Sequence, residues 1–319
     1  FAEKNWKYLL AFNVFFILLL LTPLGTDHDM GNLNWLDIPG FPVDIQPNEI
    51  VKLPFILLLA LQISKIQEQG HDISSLPSIL QIGGHAVFML GLIAAVCGDM
   101  GMCVAYMFIF AFMAWSAGVK IRWFVLVGGV IVLTVVILWL FVLPETKWWT
   151  DYRIMRFRVV FDHDLDPQGR GFQQLRSILA IGSGQLFGQG YLHGTQTQSS
   201  NSSALPARHT DFIFGEELGM VGCILLLLLL SAIVLRCVWV SWHASSPFSA
   251  YVAMGMAGML LVQIFLNVGM CLYVLPVMGL TLPFISYGGS SVVTLFAAMG
   301  IVSSVKARAL PSWLRDRQA

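Results

Sequence analysis

Residues 218–235 read Leu218-Gly219-Met220-Val221-Gly222-Cys223-Ile224-Leu225-Leu226-Leu227-Leu228-Leu229-Leu230-Ser231-Ala232-Ile233-Val234-Leu235, without a single charge. A helix needs about 20 mostly apolar residues to cross the hydrocarbon core of a bilayer. A barrel strand would alternate apolar and polar residues over about ten positions, and this run does not alternate. Working outward, similar runs recur at roughly 8–24, 49–66, 79–98, 101–118, 123–143, 212–236, 247–271 and 284–304. Composition agrees. Of 319 residues, 57% are hydrophobic and 11% charged, and the mean hydropathy is +0.75. Ordinary soluble domains carry roughly 25% charged residues. A water-soluble surface and a disordered chain are both excluded, since disorder needs low hydrophobicity and high net charge. The 18 basic and 18 acidic residues sum to zero, so no global field points to nucleic acid. The expected fold class is an all-α polytopic membrane protein, a helical bundle of about eight spans. It is expected to form one integral membrane domain over 1–319. No run is followed by a small-residue cleavage pattern of the kind that ends a signal peptide.

Lys and Arg in short loops set the orientation of such a bundle. Lys4, Lys7, Lys65, Lys120, Arg122, Arg236, Lys306, Arg308, Arg315 and Arg317 all fall on one side of an eight-span arrangement. That side, with both chain ends, is expected to be cytoplasmic. The short loops opposite hold Asp27, Asp29, Asp37, Asp44 and Asp99 instead. The segment 144–211 is then a long extracytoplasmic segment. Its basic residues Lys147, Arg153, Arg156, Arg158, Arg170, Arg176 and Arg208 do not contradict the orientation, because long loops escape the charge rule. Phe172, Leu175, Ile178 and Leu179 interleave with polar residues there, as in helices lying at the membrane interface. The five cysteines form no CxxC pair and read as buried apolar side chains.

The informative residues are the polar ones at membrane depth. Glu49 and Lys52 stand three apart, on one helix face, just after Pro47. They read either as a structural ion pair or as charged groups lining an outward cavity. The second reading is favoured because ionisable groups in a membrane are expensive. Arg208, His209 and Asp211 gather where the long segment enters the sixth span. Thr210 or Asp211 would also serve as a helix cap. One of Glu216 and Glu217 is expected to face a polar cavity. Asp99 sits in a tight turn and reads equally as a turn former. His85 and Asn267 read as interhelical hydrogen-bonding groups. Pro276, Gly279, Pro283, Gly288 and Gly289 break the helical pattern, which membrane proteins tolerate only where backbone is buried or lines a cavity. There is no P-loop, HExxH, GxSxG or strand-linked GxGxxG, so nucleotide-driven transport and zinc proteolysis have no support.

Several stretches together resemble one family. They are Gln46-Pro47-Asn48-Glu49 with Lys52, Asp99-Met100-Gly101, Gly118-Val119-Lys120-Ile121-Arg122-Trp123, Ala180-Ile181-Gly182-Ser183-Gly184, and Gly194-Thr195-Gln196-Thr197-Gln198. Arg208-His209-Thr210-Asp211-Phe212-Ile213-Phe214, Glu216-Glu217-Leu218-Gly219, Asn267-Val268-Gly269-Met270 and Leu282-Pro283-Phe284-Ile285-Ser286-Tyr287-Gly288-Gly289-Ser290-Ser291 follow. In this order, from about residue 8 to 305, the set resembles the SEDS proteins of bacteria, the RodA/FtsW/SpoVE family, and most of all its RodA branch. Departures are visible. Family members have ten spans where this chain shows eight. The family pattern has about three more residues between Phe214 and Glu216. Asn48 stands where Ser is common, and Ser199 to Ala204 is longer and more polar than usual.

The resemblance implies a peptidoglycan glycosyltransferase that polymerises lipid II in cell-wall elongation and shape. It would work at the outer face of the bacterial cytoplasmic membrane, as a multi-pass protein. The 4-hydroxyl of a GlcNAc would attack the anomeric carbon of a MurNAc and expel undecaprenyl diphosphate, inverting the linkage. Such a step needs a base opposite the leaving group and positive charge on the diphosphate. Asp211 is the expected catalytic base, and burial raising its pKa from about 3.9 would help it. Lys52 and Arg208 are expected on the diphosphate. Glu49, His209, Ser286 and Tyr287 complete the expected substrate-binding set. A divalent cation, Mg or Mn, held by Asp211 and Glu49 is an alternative source of charge. The implied partners are a class B penicillin-binding protein, lipid II with its undecaprenyl-linked glycan, and membrane lipids, with no nucleic acid. Two rival readings are a lipid-linked precursor flippase and a non-catalytic scaffold for a penicillin-binding protein.

Overall fold

The structure is a computed structural model that describes residues 2–27, 32–40, 44–137, 140, 170–195, 213–286 and 288–308. In chain order its helices are α1 (Ala2–Leu18), α2 (Pro47–Glu68), α3 (Leu76–Val96), α4 (Met100–Ser116), α5 (Ile121–Ile137), α6 (Arg170–Ser183), α7 (Ile213–Trp242), α8 (Pro247–Cys271) and α9 (Gly289–Ala307). Each of the eight apolar stretches carries one of these helices, and α6 lies in the long segment. Glu3–Leu21, Leu76–Val96, Phe214–Trp242, Pro247–Cys271 and Gly289–Ala307 are long and apolar enough to cross a membrane. α4 and α5 are apolar but 17 residues each. α2 is 22 residues long and carries Glu49, Lys52, Lys65 and Glu68.

Several boundaries move from their expected positions: α1 begins at Ala2 rather than near 8, and α7 runs on to Trp242 rather than ending near 236. The first helix ends at Leu18 rather than near 24, because a 3-10 turn (Leu19–Leu21) and a hairpin follow. The last begins at Gly289 rather than 284. Pro283 and Phe284 are held in turns, with Phe284 at φ +65°, so the helix cannot propagate back through them. All five cysteines are free, with Cys97 and Cys237 buried and the others part-exposed.

The chain divides into two compact units, one of 1–120, 231–262 and 288–319, the other of 121–230 and 263–287. In the first, α2 is the central helix and contacts α1, α3, α4 and α9. Val51, Phe55, Ile56, Leu59 and Ile63 on it are fully or almost fully buried. Glycines bring α8 close: a Cβ at Gly258 would stand 2.7 Å from Phe112 Cδ1. Small residues permit such approach where lipid supplies no hydrophobic drive between helices. β1 (Gly25–Thr26) pairs antiparallel with β2 (Trp35–Leu36), and Leu36 bridges Ile45. The short sheet leads the chain directly into α2.

In the second unit, α7 was expected as one regular span and instead breaks at Gly219, which has φ +65°. A helix broken there loses the bonds from Met220 and Val221 N–H to the carbonyls of Glu216 and Glu217. The loop after α6 replaces them. Met220 and Val221 donate to the carbonyls of Gln185 and Leu186 at 2.9 and 3.1 Å. Gln189 and Gly190 donate to the carbonyls of Glu216 and Glu217 at 2.9 and 3.1 Å. Backbone lies directly on backbone, so side chains are excluded: a Cβ at Gly184 would overlap the Gly215 carbonyl, and one at Gly188 the Glu217 carbonyl.

α6 is turned inside out. Its buried residues include Gln174 and Ser177, while Leu175, Ile178 and Leu179 are exposed. Gln174 Nε2 donates to the carbonyls of Met270 and Leu275 at 3.3 and 2.6 Å, and Ser177 Oγ to that of Cys271 at 3.0 Å. These carbonyls belong to the end of α8 and the turn after it, where helical partners run out. The polar face therefore satisfies backbone, and the apolar face is left outward, as an interfacial helix requires.

Candidate functional site

The first turn of α2 gathers the buried polar groups of the first unit. Gln46 is extended (φ −100°, ψ 103°) and Pro47 opens the helix, where its missing N–H costs nothing. Gln46 N–H donates to Ser290 Oγ of α9 at 3.3 Å. Asn48, Glu49 and Lys52 are 0%, 1% and 0% exposed. Lys52 Nζ donates to Glu49 Oε1 at 2.7 Å. The spacing read from the sequence thus makes a real contact, and the helix N-terminus favours the carboxylate. Two ions held out of water cost several kcal/mol each, and their attraction does little more than offset this. A dry ion pair is a poor device for stability and a good one for holding a charge ready.

A hydrogen-bonded chain fixes this turn. Asn48 Nδ2 donates to Asn34 Oδ1 at 3.4 Å, and Tyr106 Oη donates to the Asn48 carbonyl at 2.9 Å. Asn34 Nδ2 donates to Asp99 Oδ2 at 2.6 Å. Asp99 Oδ1 accepts from Met102 N–H at 3.1 Å and so caps α4. Asp99, read from the sequence equally as a turn former or as a group with a role, is a helix cap that also anchors Asn34. Neither Asn34 nor Tyr106 was picked out from the sequence. Tyr106 carried a signal, since a phenol in an apolar helix needs a buried partner. Asn34, in a polar loop, carried none.

Other polar residues divide by unit. In the first, His85 Nδ1 lies 3.2 Å from Gln62 Oε1, joining α3 to α2 as expected. In the second, Asn267 Nδ2 donates to the Leu280 carbonyl at 2.9 Å and so braces the broken segment after α8. Ser286 is buried, and its Oγ accepts from Leu282 N–H at 2.7 Å, closing that turn. Glu216 and Glu217 are 0% and 7% exposed, and Thr195 Oγ1 donates to Glu216 Oε1 at 3.2 Å. Arg208, His209, Asp211 and Tyr287 lie outside the described residues. Among the described residues no group of three or more His, Cys, Asp or Glu could hold a metal. Glu49, half of the expected Asp211–Glu49 cation pair, has Oε1 engaged by Lys52.

The sequence profile of the cell cycle protein family FTSW_RODA_SPOVE matches residues 1–310. The chain belongs to this family. Among its relatives, the peptidoglycan glycosyltransferase MrdB of Escherichia coli (strain K12) is 38% identical over 283 residues, covering 86% of this chain and 71% of MrdB. The probable peptidoglycan glycosyltransferase FtsW of Geobacter metallireducens is 34% identical over 300 residues, covering 92% of this chain and 74% of FtsW. A solved chain from a peptidoglycan synthase complex that coordinates polymerization and crosslinking superposes with a TM-score of 0.73 at 26% identity, covering 97% of this chain and 84% of that one. This FtsW/RodA/SpoVE member is a multi-pass, all-α membrane protein and a glycosyltransferase.

Proposed function

We propose that the chain polymerises lipid II into peptidoglycan strands at the outer face of the bacterial cytoplasmic membrane, with both ends cytoplasmic. The observation that carries this reading is the Glu49–Lys52 pair, fully buried at the start of α2 and braced by Asn48, Asn34 and Asp99. The names of the relatives support the substrate class. In the reaction the GlcNAc 4-hydroxyl oxygen bonds to the MurNAc anomeric carbon, and the bond from that carbon to the diphosphate breaks. Asp211 takes the hydroxyl proton. Lys52 offers the diphosphate a point charge, and Arg208 offers a planar fork. Glu49 holds the Lys52 ammonium in one rotamer, so that little ordering remains to be done in the transition state. His209, Ser286 and Tyr287 are assigned to substrate binding.

The charge separation of the short loops supports the sidedness. The outward apolar face of α6 fits a substrate whose lipid tail stays in the bilayer. Likeness to a chain solved within a peptidoglycan synthase complex supports a crosslinking partner, a class B penicillin-binding protein. The test uses the purified chain in liposomes, with and without that partner, and labelled lipid II. Polymer that a muramidase digests is expected. Translocation of lipid II across the bilayer without polymer would instead mark a transporter.

A further inference from the structure

We propose that the Trp239 cluster, formed by Arg236, His243 and Lys306 on one indole, binds the phosphate of an anionic phospholipid headgroup. The Arg236 guanidinium carbon lies 4.3 Å from the Trp239 ring centre, and Lys306 Nζ also lies 4.3 Å from it. The His243 ring stacks on the same indole, with centroids 4.3 Å apart and planes 29° apart. Its Nδ1 is 2.8 Å from the Trp239 carbonyl. A ring has two faces, so at least two of these three groups share one. All four residues belong to the first unit: Arg236 and Trp239 near the end of α7, His243 just beyond it, and Lys306 in the last turn of α9.

Among the described residues the arrangement is short of negative charge. Elsewhere on the side expected to be cytoplasmic, Lys65 pairs with Glu3 at 3.5 Å and Lys120 with Asp72 at 3.3 Å. Arg236 and Lys306 make no ion pair with a carboxylate among the described residues. An indole attracts a cation through its quadrupole but neutralises nothing. Two like charges gathered on one ring therefore call for an anion. Arg supplies a fork that matches two phosphate oxygens, and Lys supplies a point charge. The site also sits where a headgroup would be. Cys237 and Val240 beside it are buried, whereas Trp242 is exposed, as in the aromatic belts at membrane–water boundaries. Basic pockets between helices on that side of a membrane bind lipid headgroups. The cluster involves none of the residues assigned to glycosyl transfer.

The experiment places the full chain in phosphatidylcholine bilayers and measures its selectivity for spin-labelled phosphatidylglycerol over spin-labelled phosphatidylcholine. Selectivity for phosphatidylglycerol is expected. Arg236→Gln and Lys306→Gln should each lower it about fivefold, the worth of one charge near a membrane surface, and together should nearly abolish it. The single variants keep the test readable if the double variant does not fold. Lys65→Gln with Lys120→Gln removes the same charge from the same side and should leave selectivity intact. Equal losses in both pairs would reduce the effect to a diffuse positive field and overturn the site. No loss in the Arg236 and Lys306 variants would also overturn it. A last arm compares inorganic phosphate with chloride at equal ionic strength. Displacement of the labelled lipid by phosphate alone would assign the cluster to free phosphate and against the lipid.

Discussion

Replacing the Glu49–Lys52 pair with apolar residues separates its structural worth from its chemical one. At 2.7 Å and an effective dielectric of about 20, the attraction is about 6 kcal/mol. Removing both ions from water costs several kcal/mol each, so the intact pair contributes close to nothing net. Lys52→Met alone keeps the cost of burying Glu49 and forfeits the attraction. It should destabilise the fold by about 3–5 kcal/mol. Glu49→Leu alone should do the same for the stranded ammonium. The double variant removes both ions, and its stability should return to the wild-type level or rise above it by about 1–4 kcal/mol. Activity should not return. Losing a charge aimed at the leaving group costs about 10²–10³-fold, comparable to removing an oxyanion donor. Thermal unfolding in detergent gives the first quantity, and polymer formed from lipid II at matched folded concentration gives the second. A double variant that is stable and polymerises at the wild-type rate would refute the assignment of Lys52 to the chemistry.

Gly184→Ala should cost more than about 2 kcal/mol, because its Cβ meets the Gly215 carbonyl and nothing nearby is a movable side chain. Gly91→Ala, where a Cβ meets nothing within 4 Å, should instead be neutral or stabilising by about 0.5–1 kcal/mol, and unfolding curves of the two variants compare them directly. Asp99→Ala loses the α4 cap and strands Asn34, so a loss of about 2–3 kcal/mol is expected. Hydrogen exchange in α4's first turn should rise with it. Gln174→Leu leaves the Met270 and Leu275 carbonyls without their donor and should lower the unfolding midpoint by the equivalent of about 1–3 kcal/mol.

The spans were legible because lipid leaves the chain so little choice. Backbone at membrane depth must bond internally, so an apolar run such as 220–235 has to be helix. Glu49 and Lys52 were legible for the same reason, since charges there stand out and a spacing of three fixes their contact. The break at Gly219 was not. The apolar run continues through it, and the two replaced bonds come from residues 185–190, which periodicity along one segment cannot see. α6 was legible as amphipathic but not in its direction. Which face turns inward depends on the open carbonyls of Met270, Cys271 and Leu275, a tertiary fact. The start of α9 was displaced because Pro283 marks a break without saying how many turn residues follow it.

The central claim, that Asp211 accepts the proton in a lipid II polymerisation carried out by this chain, has one direct measurement. Wild type and Asp211→Asn are reconstituted with the partner in liposomes, given labelled lipid II, and read for glycan polymer alongside their unfolding midpoints. The account predicts polymer from wild type and none from the variant, at equal unfolding midpoints. Polymer in full yield from Asp211→Asn would contradict it.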